Sequence, residues 1–282
     1  MPASDSAPLL ATSPLGRTVE YSSRYAPELL FPIARAPKRA ELGIVRNPPF
    51  YGLDLWNAYE LSWLNPRGKP VVAIGSFHVP ACSPRLVESK SLKLYLNSLN
   101  GSRFGSPEDV RQRIAADLTA AAGARVGVTV ELLSGRPQRR LGEIRGELID
   151  DIDVDIDTYL PQPDFLGADT AAAMVDETLV SHLLKSNCLI TGQPDWATLA
   201  VRYRGRPIDR AGLLRYVVSF RDHDEFHEQC VERIFMDIRR RCRPESLAVW
   251  ARYTRRGGID INPFRADAED ASPPENFGDI RQ

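Results

Sequence analysis

Two segments of the chain carry side chains that could perform chemistry on a small ligand. Residues 88–93, Glu-Ser-Lys-Ser-Leu-Lys, place two serines and two lysines directly after a carboxylate, and these side chains are good hydrogen-bond donors to a polyanion. Residues 188–196 begin with the thiol of Cys188 and reach the carboxylate of Asp195 seven positions later. A thiolate is a nucleophile and a carboxyl group can donate a proton, so the second segment could carry out covalent catalysis.

Each of these residue types also has an ordinary structural interpretation. Free cysteine is usually a small buried hydrophobic residue. An aspartate that follows a proline most often belongs to a turn or a cap. Serine and glutamate favour the first turn of a helix, where lysine is usually solvated. The residue types alone therefore leave both interpretations open for both segments.

A third segment, residues 222–228, contains His223 and His227 at the beginning of a predicted helix, with Cys230 nearby. Two histidines four residues apart on a helix lie on one face and could bind zinc. The zinc-protease pattern requires glutamate directly after the first histidine, and Asp224 occupies that position. Such a histidine pair is more often structural, so we predict no metal site.

Composition limits the class of protein and its partners. The chain has 282 residues, 43% of them apolar, which is typical of a soluble globular protein of one or two domains. Its 36 basic and 37 acidic residues create no net field to attract nucleic acid or an anionic membrane. The N-terminus lacks a signal-peptide pattern, and no apolar run approaches membrane-spanning length. The four irregularly spaced cysteines predict free thiols in the cytoplasm.

An internal repeat organises the chain. Residues 92–99 match residues 213–220 at an offset of 121 (213 − 92), with identical Leu, Tyr and Ser positions. At an offset of 120 (233 − 113), the match continues with Arg113, Ile114, Asp117 and Leu118 on Arg233, Ile234, Asp237 and Ile238. Two copies of one supersecondary unit are the simplest explanation.

Hydrophobic periodicity predicts the same order of elements in both copies: a strand, then helices, then a strand. The predicted strands are 71–75, 126–133, 198–203 and 247–253, the predicted long helices are 108–122 and 224–241, and residues 255–258 form a predicted hairpin tip. This order indicates an α+β fold rather than a doubly wound α/β sheet.

Residues 150–157 alternate aspartate with isoleucine or valine. The alternation predicts a strand with a buried apolar face and a solvated acidic face, and a calcium site is the alternative. We expect the region from about Asp150 to Asp169 to connect two modules, residues 1–149 and residues 170–282.

Taken together, residues 88–93, 188–196 and 226–228 resemble segments of the NADPH-dependent 7-cyano-7-deazaguanine reductases, the nitrile reductases of queuosine biosynthesis in tRNA modification. The resemblance extends from about Ser13 to Pro263. It implies the tunnelling fold, with two tandem modules of antiparallel sheet and paired helices, and a homodimer. It also implies one catalytic centre per chain. No G-x-G-x-x-G pattern follows a strand, so a Rossmann mode of cofactor binding is not indicated.

The resemblance also implies a role for each candidate residue. Cys188 would attack the nitrile carbon of the deazapurine, Asp195 would protonate the nitrogen, and His227 would assist proton movement. We expect the adjacent Trp196 to desolvate Asp195 and keep it partly protonated. The implied substrate-binding residues are Val87, Glu88, Ser89, Phe226, His227 and Glu228. The implied NADPH-binding residues are Ser89, Lys90, Arg256 and Gly257, with helix-start N–H groups as further donors.

Two alternative functions remain open at this point. One is a zinc-dependent hydrolase of purines or pterins that resembles the GTP cyclohydrolases, with His223, His227 and Cys230 as ligands. The other is a noncatalytic base-binding module, which would retain Glu88 and Glu228 but have no use for a reactive cysteine.

Overall fold

The computed structural model describes residues 22–135 and 140–282, which form two compact units. The first unit contains residues 22–47, 54–135 and 255–260. The second contains residues 48–53, 140–254 and 261–282. The strands in the described residues are β1 (Pro32–Ala34), β2 (Tyr51–Leu64), β3 (Pro70–Pro80), β4 (Arg85–Val87), β5 (Gly127–Leu132), β6 (Glu147–Leu148), β7 (Val175–Asn187), β8 (Pro194–Gly205), β9 (Ser246–Tyr253) and β10 (Ile259–Ala266).

Five α-helices accompany these strands in the same described part of the chain. They are α1 (Ala36–Glu41), α2 (Ser89–Ser98), α3 (Pro107–Ala122), α4 (Arg210–Val218) and α5 (His227–Arg241). Short 3₁₀ turns lie at Pro27–Leu29, Leu133–Gly135, Pro163–Phe165 and Ser219–Asp222. None of the described helices is both long enough and apolar enough to cross a membrane.

In the first unit, β3 pairs antiparallel with β5, from Ala73 opposite Leu132 to His78 opposite Gly127. Ser106 caps the N-terminus of helix α3, because its hydroxyl accepts the Asp109 N–H, and Gly123 caps the C-terminus with a φ of 74°. The buried residues of α3 recur every four positions: Val110, Ile114, Leu118 and Ala122. The amphipathic spacing is that of a helix with one buried face, and the predicted helix and its flanking strands are confirmed.

In the second unit, β7 pairs antiparallel with β8, and β8 with β9, which confirms the strands predicted there. Helix α5 begins at His227, three residues later than the predicted start at Asp224. The prediction was wrong because Glu225 donates its N–H to the Asn187 carbonyl at 3.1 Å, which holds this stretch extended against the end of β7.

The internal repeat is confirmed by matching hydrogen bonds in the two units. The Tyr95 hydroxyl donates to Asp117 Oδ2 at 2.7 Å, and at the matching positions the Tyr216 hydroxyl donates to Asp237 Oδ2 at 2.7 Å. Burial raises the pKa of both tyrosines, so both hydroxyls remain protonated donors. The same hydrogen bond therefore joins α2 to α3 in the first unit and α4 to α5 in the second.

A second pair of hydrogen bonds extends the repeat to residues that the sequence comparison did not match. Ser98 Oγ accepts the Ala26 N–H, and Ser219 Oγ accepts the Gln162 N–H, each at 3.1 Å. Ala26 and Gln162 each precede a proline that begins a 3₁₀ turn. In both units, one buried serine therefore binds the backbone just before a 3₁₀ turn and holds that turn against the helices. The tandem α+β tunnelling fold is therefore built from two equivalent units.

The strand predicted over residues 150–157 is absent. Its alternation of partly buried apolar residues and exposed aspartates is present, but the segment has no ladder partner among the described residues. The parallel pairing of β6 with β7 stops just before Asp150. The Asp150 carboxylate accepts the Ser181 hydroxyl at 2.6 Å and the His182 N–H at 2.8 Å. A side chain therefore takes the backbone donor that a continued strand would have used.

Candidate active site

Cys188 is the first residue after β7, in the loop of residues 188–193 that leads to β8. Its N–H donates to the Gln193 carbonyl at 2.8 Å, and its carbonyl accepts the Gly192 N–H at 2.9 Å. Gly192 has a φ of 64°, which favours glycine there for its backbone conformation. The loop is thus closed by its own backbone, and Cys188 is held at its beginning, partly exposed.

The segment that leads into α5 runs alongside Cys188. Asn187 donates its N–H to the His223 carbonyl at 2.8 Å, and Asp224 forms a parallel bridge with Asn187. The two stretches run in the same direction. Cys188, which follows Asn187, and Phe226, which follows Asp224 by two residues, therefore lie beyond the same end of this pairing. The structure therefore brings together two of the segments that the sequence singled out.

A buried ion-pair network fixes this segment. Glu225, 1% exposed, accepts two hydrogen bonds from the Arg233 guanidinium, at 3.0 and 2.8 Å. His223 Nε2 lies 3.0 Å from the same carboxylate. Burial alone would raise the pKa of Glu225, but its hydrogen bonds with His223 and Arg233 outweigh burial and lower the pKa to about 2. Sequence reasoning noticed Arg233 only as part of the repeat.

The predicted proton donor and the predicted proton carrier lie beside each other. His227 is the first residue of α5, and its Nε2 lies 3.2 Å from Asp195 Oδ2. The Asp195 side chain is only 5% exposed, and that of His227 15%. The pair lies within ion-pair distance but is not aligned as a hydrogen bond, so proton exchange between them requires a small reorientation of the side chains.

The expected role of Trp196 is wrong. Consecutive side chains of a strand point to opposite faces, so Trp196 faces away from Asp195 on β8. Arg221 lies over its ring at 5.4 Å. The aromatic residue on the Asp195 side is Tyr253, whose ring is stacked on the His227 imidazole at 3.9 Å between centroids. Sequence reasoning placed Tyr253 in a strand and gave it no further role.

The geometry separates Cys188 from the other cysteines. Burial, followed by the charge of Glu225, raises the pKa of Cys230 to about 12, and burial raises the pKa of Cys242 to about 12. Both thiols are therefore protonated at neutral pH. The remaining cysteine, Cys82, is exposed and lies in the first unit.

The zinc alternative lacks its ligand cluster. His223 precedes helix α5, so its spacing from His227 does not place the two on one helical face. Its ring is paired with Glu225, and Cys230 is buried. Among residues 22–135 and 140–282, no group of three His, Cys, Asp or Glu side chains could hold a metal ion.

In the first unit, Glu88 caps helix α2. Its buried carboxylate accepts the Lys90 N–H at 2.6 Å and the Ser91 N–H at 2.8 Å, and the Ser89 hydroxyl lies 3.3 Å away. Burial raises the pKa of Glu88, and these hydrogen bonds oppose that effect. The expectation that helix-start N–H groups bind the cofactor is wrong for these two donors, because Glu88 already occupies them. Val87 precedes Glu88 as the buried last residue of β4.

The predicted hairpin tip is confirmed, and it lies in the first unit near α2. Arg256 and Ile259 exchange backbone hydrogen bonds around Gly257 and Gly258, which have φ values of 57° and 79°. A two-residue loop with both φ values positive requires glycine or a similar residue. A Cβ atom at Gly257 would lie 2.8 Å from Lys93 Nζ, so the hairpin tip and α2 share one basic surface. Lys93 had been noted in its motif but given no role.

The fold and the candidate site define a tunnelling-fold enzyme that carries a cysteine and a carboxylate–histidine pair in its second unit. The family described as "Nitrile reductase, 7-cyano-7-deazaguanine-reductase N-term" matches residues 21–130, and the family described as "QueF-like protein" matches residues 194–272. The chain belongs to the family of NADPH-dependent 7-cyano-7-deazaguanine reductases.

Several relatives carry this family's name. The protein from Aromatoleum aromaticum is 64% identical over 96% of this chain and 95% of its own length. The protein from Azoarcus sp. is 65% identical over the same shares. The protein from Cupriavidus pinatubonensis is 54% identical over 96% of this chain and 98% of its own. A crystal structure of the archaeosine synthase QueF-Like in the apo form covers 36% of this chain and 98% of its own, at 16% identity and a TM-score of 0.31.

Proposed function

We propose that this chain reduces the nitrile of 7-cyano-7-deazaguanine to the aminomethyl group with two molecules of NADPH, in the queuosine pathway of tRNA modification. The proposal is supported by relatives that are 64% and 65% identical and are named for this reductase. The observation that carries the chemistry lies at the end of β7. Cys188 follows this strand, the segment before α5 is hydrogen-bonded alongside it, and that segment leads to His227, which lies next to Asp195.

The first step is the addition of Cys188 to the nitrile carbon. The thiolate electron pair forms the C–S bond, one π bond of the nitrile breaks, and Asp195 donates a proton to the nitrogen, which gives a thioimidate. Asp195 suits this role because its side chain is buried beside His227, away from bulk water. His227, 3.2 Å away, is placed to return a proton to the carboxylate.

The later steps release the cysteine. NADPH, when bound, supplies one hydride for each of the two reductions. When the tetrahedral adduct collapses to the imine, the C–S bond breaks and its electron pair returns to Cys188 as thiolate. Asp195 and His227 then serve the proton transfers that complete the amine.

Substrate recognition is assigned to Phe226, His227 and Glu228, together with Val87, Glu88 and Ser89. The Phe226 ring packs on the deazaguanine, and His227 and Glu228 bind its polar groups. A buried carboxylate such as Glu228, 3% exposed, suits the amino and ring N–H donors of a guanine-like edge. Glu88 completes the recognition, with Val87 and Ser89.

The proposed NADPH site consists of Ser89, Lys90, Arg256 and Gly257. The proximity of Lys93 to the hairpin tip supports it, because α2 and the hairpin place cationic side chains on one surface of the first unit. Lysine and arginine are the usual partners of phosphate groups. The donors present therefore fit a dinucleotide with a 2′-phosphate.

The wider organisation follows the same proposal. Two modules, residues 1–149 and 170–282, are joined by residues 150–169, and the chain acts as a homodimer in the cytoplasm without direct contact with nucleic acid or membrane. The separate family matches at residues 21–130 and 194–272 support the two modules.

An activity assay tests the function against its alternatives. With NADPH and 7-cyano-7-deazaguanine, we expect two NADPH oxidised for each aminomethyl product, and no reaction by Cys188→Ala. Cys82→Ala, the matched control at an exposed thiol, should retain full activity. Zinc-dependent hydrolysis of GTP would instead support the hydrolase alternative. Binding of the deazapurine without NADPH oxidation would support the noncatalytic base-binding module.

A further inference from the structure

Tyr253 lies against the imidazole of His227 in a nearly parallel stack. The ring centroids are 3.9 Å apart and the planes differ by 26°. Tyr253 is the last residue of β9 and is fully buried. The buried Tyr253 ring therefore packs against one face of the His227 imidazole, and the His227 side chain is itself mostly buried.

The register of the sheet explains why the Tyr253 ring lies on the same face of the sheet as Asp195. Tyr253 is directly opposite Ala197 in the antiparallel pairing of β8 and β9. Ala197 is two residues beyond Asp195, so Asp195, Ala197 and Tyr253 share one face of the sheet. Burial and the nearby Cys230 raise the pKa of Tyr253 well above its ordinary value, so its hydroxyl stays protonated in this position.

The far end of the tyrosine lies in the core. Its hydroxyl is buried near Cys230 and Ser186, both fully buried, and makes no hydrogen bond within the described residues. Cys230 lies one helical turn after His227 on α5, and Ser186 is next to the end of β7. The ring is thus held at the junction of the helix that carries His227 and the strand that leads to Cys188.

We propose that Tyr253 is a positioning residue for proton transfer, whose ring fixes the imidazole plane of His227 and so keeps Nε2 close to Asp195. This inference rests on the proposed function, since it assigns a cause to the geometry of the proposed proton path. The imidazole belongs to the first residue of a helix, where no preceding helical turn restricts its rotation. Stacking against a buried aromatic ring supplies the missing restriction.

The test compares Tyr253→Phe with Tyr253→Leu, because the first keeps the ring and the second keeps only apolar volume. At saturating NADPH, we expect Tyr253→Leu to lower the single-turnover rate of amine formation about tenfold. This is part of the about 10²–10⁴-fold that a positioned proton-transfer group contributes. The KM for the nitrile should change less than about twofold, and Tyr253→Phe should restore the rate. If Tyr253→Leu does not fold, Tyr253→Met serves as the ringless variant.

A double-mutant cycle with His227→Ala separates this inference from the proposed function. If Tyr253 acts through His227, the ringless substitution should have no further effect on the rate in the His227→Ala background. A normal rate in the ringless variant, or equal losses in both backgrounds, would overturn the positioning role while leaving the proposed function intact. A normal rate in His227→Ala alone would overturn the proposed proton path, and the positioning role with it.

Discussion

Replacing Arg233 by methionine is expected to destabilise the second unit and to displace the segment that carries Phe226 and His227. Arg233 donates two hydrogen bonds to the buried carboxylate of Glu225. Removal of one partner leaves the other charge buried and poorly compensated, which costs about 3–5 kcal/mol. The pKa of Glu225 gives a similar figure. The fall from 4.5 to about 2, which His223 and Arg233 produce together against burial, corresponds to about 3 kcal/mol at 1.36 kcal/mol for each pKa unit.

The pH dependence of this effect has a definite sign. Because the pKa of Glu225 is lower in the folded protein than in the unfolded chain, its contribution is fully present above about pH 4.5 and is lost as the pH falls toward about 2. The difference in free energy of unfolding between wild type and Arg233→Met should therefore be about 3 kcal/mol at pH 7. Most of that difference should be lost between about pH 4.5 and about pH 2.

Urea unfolding, followed by tryptophan fluorescence at several pH values, measures this difference. Arg113→Met is the matched control, because Arg113 occupies the same position of the repeat in the first unit but is exposed and lies over the ring of Tyr25 at 5.2 Å. The control should lose less than about 1 kcal/mol, as is usual for a surface contact. Equal stability and equal acid sensitivity in Arg233→Met and wild type would refute the assignment of the ion pair as the anchor of this segment.

Further predictions concern the acid and the cofactor grip. Asp195→Asn should slow covalent addition by about 10²–10⁴-fold with little change in substrate binding, as measured by adduct formation in rapid-quench experiments. Near-normal addition would reassign the acid, with His227 next. Lys90→Ala and Arg256→Ala should each raise the KM for NADPH and leave adduct formation without NADPH intact. The loss should be larger for NADPH than for NADH if either residue binds the 2′-phosphate. Impaired adduct formation with unchanged NADPH dependence would place both residues in the substrate pocket.

Much of the fold could be predicted because its signals are local or repeated. The spacing of Val110, Ile114 and Leu118 marks a helix by itself, since it depends only on the helical period. The paired glycines at 257 and 258 mark a hairpin for the same kind of reason. The repeat was visible because Tyr95 and Tyr216 hold matching aspartates, so both copies need the same residues.

What could not be predicted depends on contacts between residues distant in the chain. The stack of Tyr253 on His227 follows from the register of β9 on β8, and no local pattern encodes that register. Trp196 was given the wrong role because sequence adjacency was taken for spatial adjacency, although neighbours on a strand face opposite sides. The segment 150–157 keeps the alternation of a strand, but a strand also needs a neighbouring strand with free backbone groups. The N–H of His182 on β7 already donates to the Asp150 side chain.

Intact-protein mass spectrometry with 7-cyano-7-deazaguanine and no NADPH tests the central claim most directly, because addition can then occur but reduction cannot. We expect one substrate mass added per chain, mapped to Cys188 by peptide analysis and absent from Cys188→Ala. The adduct should still form in Cys82→Ala, since that thiol lies in the other unit. An adduct that persists in Cys188→Ala, or that maps to Cys82, Cys230 or Cys242, would contradict the assignment of Cys188 as the nucleophile.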